Sequence, residues 1–383
     1  MNSQIEYIGE EQDELNAAIG NLRILSSVVK GRIQVQDSIH LKSYNADLLI
    51  SFPPYEGQPA QTYQELLISN KSIDERKQLE DAYGTRNDAI TLSIRKCVVT
   101  GCKGIVIAPD SINFRMGRYD ELRRYLVSND CVDMIISITS PLFSYASIPL
   151  AVYVINKNHG HKGSIRFVNI CDTEKDCDLF LKTYPNGLLK DNQISKLVSL
   201  QEIAENNYIL APEAYVLPSV DVQEDKMINI KELGTLLSYR RSTIQQGLYL
   251  HSSYLGENKA RVIHAKDLTL EEIDNKQVFL VTKPCIMISP VGGKTVCIDP
   301  QGEKVYVQYR GQIFFEPNTE IVLPQYLALQ FNEEYVKQQM GNRPIQTSAT
   351  LFVRTIFSRI KIIVPSLMEQ QQIVDEYQLL LIG

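Results

Sequence analysis

The seven cysteines, at positions 97, 102, 131, 171, 177, 285 and 297, form no Cys-x-x-Cys pair and are odd in number. That lack argues against a zinc ribbon or a disulfide framework and for buried or incidental thiols in a reducing cytoplasm. Long apolar runs are also missing. The longest, such as Cys131–Ile138 and Pro149–Ile155, have strand length, so none reads as a membrane span. The first residues, Met-Asn-Ser-Gln-Ile-Glu-Tyr, have no basic region followed by an apolar stretch, so no signal peptide is expected. No P-loop and no Ser-His-Asp or Cys-His constellation stands out. His251 and His264 have no partners at ligand spacing, so no metal ligands are assigned. Nor is positive charge in excess. The net charge is −6, and residues 228 onward hold 16 Lys and Arg against 15 Asp and Glu, which leaves −7 on the first 227. Binding to nucleic acid would therefore need a local basic face rather than a basic chain.

What is present is a chain of 383 residues, 44% of them hydrophobic, long enough for two or three domains with sizeable cores. Ile5–Ile8 is a short β-rich run that ends at Gly9-Glu10-Glu11. Asp13–Val28 has helical periodicity through Leu15, Ala18, Ile19, Leu22 and Leu25. Arg32–Gln36 reads as a strand closing at Asp37, and Asp47–Ser51 as another leading into a Pro-Pro turn. Helices are expected over Thr62–Arg76, Arg86–Val99 and Tyr119–Ser128, and strands over Gly104–Ala108, Val132–Ile138, Leu150–Ile155 and Ile165–Ile170. This alternation predicts βαβ units and a mostly parallel, doubly wound α/β sheet. After Pro212 the pattern changes to short strands and Gly/Pro turns, with a final helix from about Met368. The boundaries read as a first domain over 1–215, a linker over 216–227 and a β-rich second domain over 228–383.

Residues 46–55, Ala-Asp-Leu-Leu-Ile-Ser-Phe-Pro-Pro-Tyr, carry the most chemical information. Asp47, an apolar strand and then Pro53-Pro54-Tyr55 resemble the active-site motif of adenine-N6 DNA methylases, which reads Asn-Pro-Pro-Tyr or Asn-Pro-Pro-Phe. The resemblance implies that an Asn side chain and the first Pro carbonyl accept hydrogen bonds from the target amino group while the aromatic ring stacks on a flipped base. Here Phe52 stands at the Asn position. Gly9-Glu10-Glu11 is similar to the family's Gly-x-Glu, which implies a grip by Glu11 on the ribose of S-adenosylmethionine. Gln36-Asp37-Ser38 is similar to its Gly-Asp-Ser/Thr, which implies that Asp37 reads the cofactor adenine. Asp47 completes the implied cofactor set. Gly104–Pro109, Leu142-Phe143, Leu150–Lys157 and Tyr208–Tyr215 follow in the order of the family's later strands and exit. The first 215 residues thus resemble the catalytic core of modification subunits of type I restriction-modification systems, with double-stranded DNA as the implied partner. Residues 360–374, Ile-Lys-Ile-Ile-Val-Pro-Ser-Leu-Met-Glu-Gln-Gln-Gln-Ile-Val, resemble a signature of the specificity subunits, in which a strand turns through Pro into a spacer helix. Ile230–Gly234 and Pro324–Leu327 resemble other pieces of such domains. The second domain is therefore expected to be an α+β target-recognition domain.

Two departures shape the functional expectation. Phe52 offers no acceptor, and Ser51, one residue early, points to the opposite face of the strand. Losing one oriented acceptor costs on the order of 3–5 kcal/mol of barrier. The family's Gly-rich cofactor loop, which precedes the Gly-x-Glu strand, has no counterpart, since only Met1 to Gln4 lie ahead of that strand. The expected first domain is a Rossmann-like methyltransferase sheet lacking its first strand, a gap that the strands at 5–8 and 47–51 would flank. Two functions follow. One is a DNA-recognition component that docks with restriction-modification partners without transferring methyl groups. The other is an active methyltransferase, either completed by a missing or separately encoded N-terminal segment or working with an unusual Phe-Pro-Pro-Tyr site. Plainer readings stand beside several residues. Glu11 and Asp37 read equally as strand-end residues, and Tyr55 as packing against the Pro-Pro turn. Arg115, Arg118, Arg123 and Arg124 face either phosphates or water, and Lys259, Arg261 and Lys266 with Tyr249 and Tyr254 line either DNA or plain surface.

Overall fold

The computed structural model describes residues 5–27, 29–36, 46–53, 88–138, 148–184, 190–216, 227–242, 246–251, 261–288, 295–309, 311–340 and 356–382. Asp37, Pro54, Tyr55, Leu142-Phe143, Tyr254, Lys259 and the helix expected over 62–76 lie outside the described residues. The chain divides into two compact units, one of Met1–Pro109, Gly117–Ile135 and Leu150–Ile165, the other of Asp110–Met116, Ile136–Pro149 and Arg166–Gly383.

The first unit opens with a βαβ element, β1 (Glu6–Glu11), α1 (Glu14–Leu25) and β2 (Lys30–Val35). Asp13 caps α1 by accepting the Asn16 amide at 2.8 Å. β1 and β2 are parallel, from Glu6 opposite Lys30 to Glu11 opposite Val35. Asn21 of α1 mimics a one-residue strand partner. Its amide nitrogen donates to the Ile33 carbonyl, and its amide oxygen accepts from the Ile33 N–H, both at 2.8 Å.

These two strands form a sheet of their own, in contrast to the single sheet expected from the sequence. The other strands of this unit, β3 (Leu48–Ser51), β4 (Lys103–Pro109), β5 (Val132–Ile138) and β6 (Leu150–Ile155), stand in the order β3-β4-β6-β5, while β7 (Ser164–Ile170) and β8 (Ser195–Ser199) fall mainly in the second unit. β3 runs parallel to β4, as expected, but β6 is antiparallel to β4. The reason lies in the connection before β6. Residues 139–149 fall short of the dozen or so that a parallel crossover takes, so β6 returns beside β5. There the Asn156 N–H donates to the Cys131 carbonyl at 2.8 Å.

Helix α2 (Ala89–Thr100) begins at Asp88, whose carboxylate accepts the Thr91 amide at 2.8 Å, and ends at Gly101 in the left-handed region. It lies close against β4. A Cβ added at Gly104 would come within 2.4 Å of the Cys97 sulfur, so only glycine allows this approach. Helix α3 (Arg118–Ser128) completes the described helices of this unit.

The second unit is rich in short strands from Met227 onward. One five-stranded sheet has the order β10 (Gly234–Leu236), β19 (Ile313–Pro317), β16 (Cys285–Ile288), β17 (Thr295–Asp299), β13 (Arg261–His264). The other has the order β11 (Arg240–Arg241), β15 (Gln277–Val281), β18 (Val305–Gln308), β12 (Gln246–Leu250), β14 (Thr269–Glu272). Inward side chains of both sheets, among them Leu250, Phe279, Val281, Met287, Ile298 and Phe314, share one core. The rings of Phe279 and Phe314 stack at 4.1 Å. No helix among the described residues is long and apolar enough to cross a membrane.

Burial sets the acidity of the thiols. It pushes Cys97 and Cys297 up to about 12 and Cys131 up to about 11, and raises Cys285 in the same direction. In the unfolded chain these thiols ionise near 9.0. The folded state therefore holds protons that the unfolded state releases, and the stability from these groups is full below pH 9 and lost as pH rises toward 11–12. The urea midpoint of unfolding is expected to fall between pH 8.5 and pH 11, about the window these shifts define. A midpoint that holds steady across that range would contradict this assignment. Gly104→Ala is expected to destabilise the protein by about 1–3 kcal/mol, read by thermal or urea unfolding, because the added methyl overpacks Cys97.

Candidate active site

The end of β3 carries the first candidate site. Alternate residues of an extended strand face opposite ways, and here the two faces differ in environment. Leu48, Ile50 and Phe52 are 47%, 66% and 53% exposed, whereas Leu49 and Ser51 are half-buried. The Ser51 hydroxyl meets the Ser93 hydroxyl of α2 at 3.2 Å. The one small polar side chain near the turn is therefore turned into the unit, and the face shared with Phe52 is hydrocarbon. Pro53, the next residue, is buried. The side chain at position 52 is an exposed ring with no hydrogen-bond acceptor.

Glu11 and Asp47 sit at strand ends. Glu11 closes β1, its Oε1 accepting the Asp13 amide at 3.0 Å and its carbonyl accepting the Gln36 amide at 2.9 Å. One of its carboxylate oxygens thus supports the turn into α1. Asp47 is exposed just ahead of β3. Among the described residues no hydrogen bond or ion pair joins Glu11, Asp47 and Phe52, and β1 and β3 belong to different sheets.

A node that sequence reasoning missed lies behind β4. Besides capping α2, the buried carboxylate of Asp88 accepts the Tyr119 hydroxyl at 2.6 Å and pairs with Arg118 Nε at 3.4 Å. It thereby joins the starts of α2 and α3. A capping Asp is a common sequence feature, and nothing local announces that Arg118 and Tyr119 will meet it.

The arginines read as a possible phosphate-facing set are dispersed in their roles. Arg118 pairs with Asp88, Arg124 pairs with Asp120 at 2.9 Å, and Arg123 is buried with Asp120 at 3.5 Å. Arg115 is exposed. In the second unit Tyr249 is also not a surface residue. It is 1% exposed, in a small cluster with Val278, Ile273 and Tyr306, and Lys276 Nζ stands 4.7 Å over its ring. Lys266 is exposed.

The stretch that resembles a specificity signature folds as strand, turn and helix. β20 (Lys361–Ile363) pairs antiparallel with β9 (Met227–Asn229), and a helix over Leu367–Ile382 follows Pro365. Ser366 and Glu369 form a reciprocal cap, since Glu369 Oε2 accepts the Ser366 amide at 2.9 Å and Ser366 Oγ faces the Glu369 amide at 3.4 Å. Gln370 is fully buried and ties three backbone groups together. Its amide oxygen accepts from Leu323 N–H at 2.8 Å, and its amide nitrogen donates to the carbonyls of Pro365 and Ile321 at 2.8 and 3.0 Å. The Glu-Gln of the signature therefore serves the architecture of the turn.

Residues 1–225 match the family model described as N-6 DNA Methylase. The methylase subunit of the type I restriction enzyme MpnII from Mycoplasma pneumoniae is 26% identical over 205 residues, 49% of this chain and 36% of that protein. The MjaVII methylase subunit from Methanocaldococcus jannaschii is 25% identical over 249 residues, 58% of this chain and 42% of that protein. The chain thus spans less than half the length of these relatives. Among solved structures, a type I restriction-modification methyltransferase subunit from Streptococcus thermophilus is similar with a TM-score of 0.44 and 16% identity, over 55% of this chain and 48% of that one.

Replacing Gln370 by Ala would empty the space of a fully buried side chain and take the partner from one partly buried N–H and two carbonyls. It is expected to cost about 2–4 kcal/mol, read by urea unfolding followed at a probe in the second unit. A loss below about 0.5 kcal/mol, the range of surface changes, would show that water replaces the side chain without penalty.

Proposed function

The chain belongs to the N-6 DNA methylase family, and from that premise we propose that it serves as a DNA-recognition component of a restriction-modification system in the cytoplasm. In this reading residues 1–215 are an adenine-methylase-like core that lacks its first strand, and residues 228–383 are a target-recognition domain. The single observation that carries the reading is the end of β3, where an exposed Phe52 ring stands at the acceptor position and Ser51 is turned away to Ser93. With the side-chain acceptor gone, the amino group of a flipped adenine keeps only the Pro53 carbonyl of the two acceptors that the resemblance implies, so it is poorly oriented and its desolvation is only partly repaid.

The family uses S-adenosylmethionine, and among the described residues Glu11 and Asp47 are those that the resemblance assigns to it. Glu11 has one carboxylate oxygen committed to the turn into α1, and Asp47 is exposed. No methyl-transfer step is therefore assigned to the chain alone.

A second reading, an active methyltransferase completed by a separately supplied segment, is favoured by one further observation. β1 and β3 each keep an unpaired edge among the described residues. Tyr7 and Ile8 on β1 are 47% and 51% exposed, as are Leu48 and Ile50 on β3 at 47% and 66%. An added strand would pair with both edges.

Methyl incorporation into adenine-containing duplex DNA tests the two readings. The chain alone, and its Phe52→Asn variant alone, are expected to show no turnover, and calorimetry to find no micromolar affinity for S-adenosylmethionine. Phe52→Asn together with a segment carrying the Gly-rich loop is expected to restore part of the activity, because acceptor, ring and cofactor then converge. Turnover by the unmodified chain with that segment would establish the second reading. Turnover by the unmodified chain alone would overturn the first.

A further inference from the structure

Three side chains that are distant in the sequence meet at the start of β5. Asp133 is the second residue of that strand, and His159 and His161 flank Gly160 in the turn after β6. One ligand atom from each lies within 4.8 Å of the other two. The two imidazole rings are 4.7 Å apart between centroids. The His159 side chain is fully buried, whereas those of His161 and Asp133 are 27% and 26% exposed, so the group opens to solvent on one side.

The neighbours of the rings fix their tautomers. His159 Nε2 lies 3.2 Å from the Asp130 carbonyl oxygen and 3.2 Å from Asp130 Oδ1. Both atoms are acceptors, so Nε2 carries the hydrogen. In the neutral ring Nδ1 then presents a lone pair, and that atom is buried without a hydrogen-bond partner. A buried lone pair that faces no donor is an uncompensated cost, and a metal cation removes it. His161 Nε2 is held in the same way by the Asp133 carbonyl at 2.8 Å. Asp133 Oδ2 accepts from the Asn156 amide at 3.3 Å. Asp130 is itself anchored, its Oδ2 accepting the Gly163 amide at 3.1 Å, on a backbone at φ 44° that Asp tolerates. Carboxylate and carbonyl groups behind imidazoles are the usual support of histidine ligands.

We propose that Asp133, His159 and His161 bind a divalent transition-metal ion of the zinc class, with solvent completing the coordination. Two imidazole nitrogens and one carboxylate oxygen suit Zn2+, Co2+ or Ni2+ rather than Mg2+ or Ca2+, which take oxygen ligands. Donor atoms around tetrahedral zinc stand about 3.3 Å apart. Rotation of the two exposed side chains toward buried His159 closes that difference. The ion would pin the turn at residues 156–163 to β5, adding to the hydrogen bonds that already hold it. The sequence signal is His-Gly-His, and it is weak because its third partner lies more than twenty residues earlier.

The test uses the full chain stripped by chelator and titrated with ZnCl2 and CoCl2, followed by calorimetry and visible absorption. One ion per chain is expected, with tetrahedral Co2+ bands and without the near-ultraviolet sulfur charge-transfer band that cysteine ligation gives. His161→Ala, at a partly exposed position, is expected to abolish binding while far-ultraviolet circular dichroism is unchanged. Asp130→Asn, at a positioning residue, is expected to weaken binding roughly 10- to 100-fold. His264→Ala, in the second unit, is expected to leave binding intact. The proposal is overturned by the absence of saturable Zn2+ binding, by a sulfur charge-transfer band, or by unchanged affinity in a His159→Ala/His161→Ala double variant.

Discussion

A β-strand carries hydrogen-bonding groups along both edges and side chains on both faces, and among the described residues β3 pairs along one edge, with β4. On one face Ser51 meets Ser93 of α2, and on the other Leu48, Ile50 and Phe52 are 47%, 66% and 53% exposed. This constraint organises the first unit. The small polar side chain next to the turn is spent on the helix behind it, so the accessible side of the turn is apolar. Local packing thus sets what the end of the strand presents: Ser51 turns to the helix, and the Phe52 ring faces out.

The βαβ element of β1, α1 and β2 has the complementary problem. Leu15, Ile19, Leu22 and Leu25 on α1 are 68%, 41%, 65% and 81% exposed, and Ala17 is its one buried residue. A helix whose apolar positions stay in water contributes little burial energy, which amounts to about 25 cal/mol for each Å² of apolar surface removed from water. The element is held by local contacts instead: the Asp13 cap, the paired ladder and the Asn21 clasp on Ile33. In the first unit, burial is concentrated in α2, α3 and strands β4 to β6, where Ile94, Val106, Ile135 and Ala151 are all inaccessible.

Elements with strong apolar patterning were legible in the sequence to the residue. Val132–Ile138 and Leu150–Ile155 are strands at the positions read, and the helix over residues 14–25 lies within the span its periodicity marks. What was not legible depends on neighbours far along the chain. Nothing local says that Arg123 is inaccessible or that Tyr249 faces a core rather than solvent. Periodicity finds a strand but not its partner, so the separation of β1 and β2 from the other sheet and the reversal of β6 emerged only with the fold. The motif around Phe52 was readable as chemistry because its residues are contiguous. The grouping of Asp133 with His159 and His161 was not, because two strands had to pair first.

The pairing of β20 with β9 places Lys361 opposite Asn229, and Gln370 reaches back to the backbone of Ile321 and Leu323. Such contacts close very long loops, and their entropy must be met before they return any energy. During synthesis the strand at Met227–Asn229 emerges well before its partner and waits without one. The second unit therefore cannot close its last ladder until residues 361–370 have left the ribosome. Its maturation waits on a segment made more than a hundred residues after the strand it pairs with.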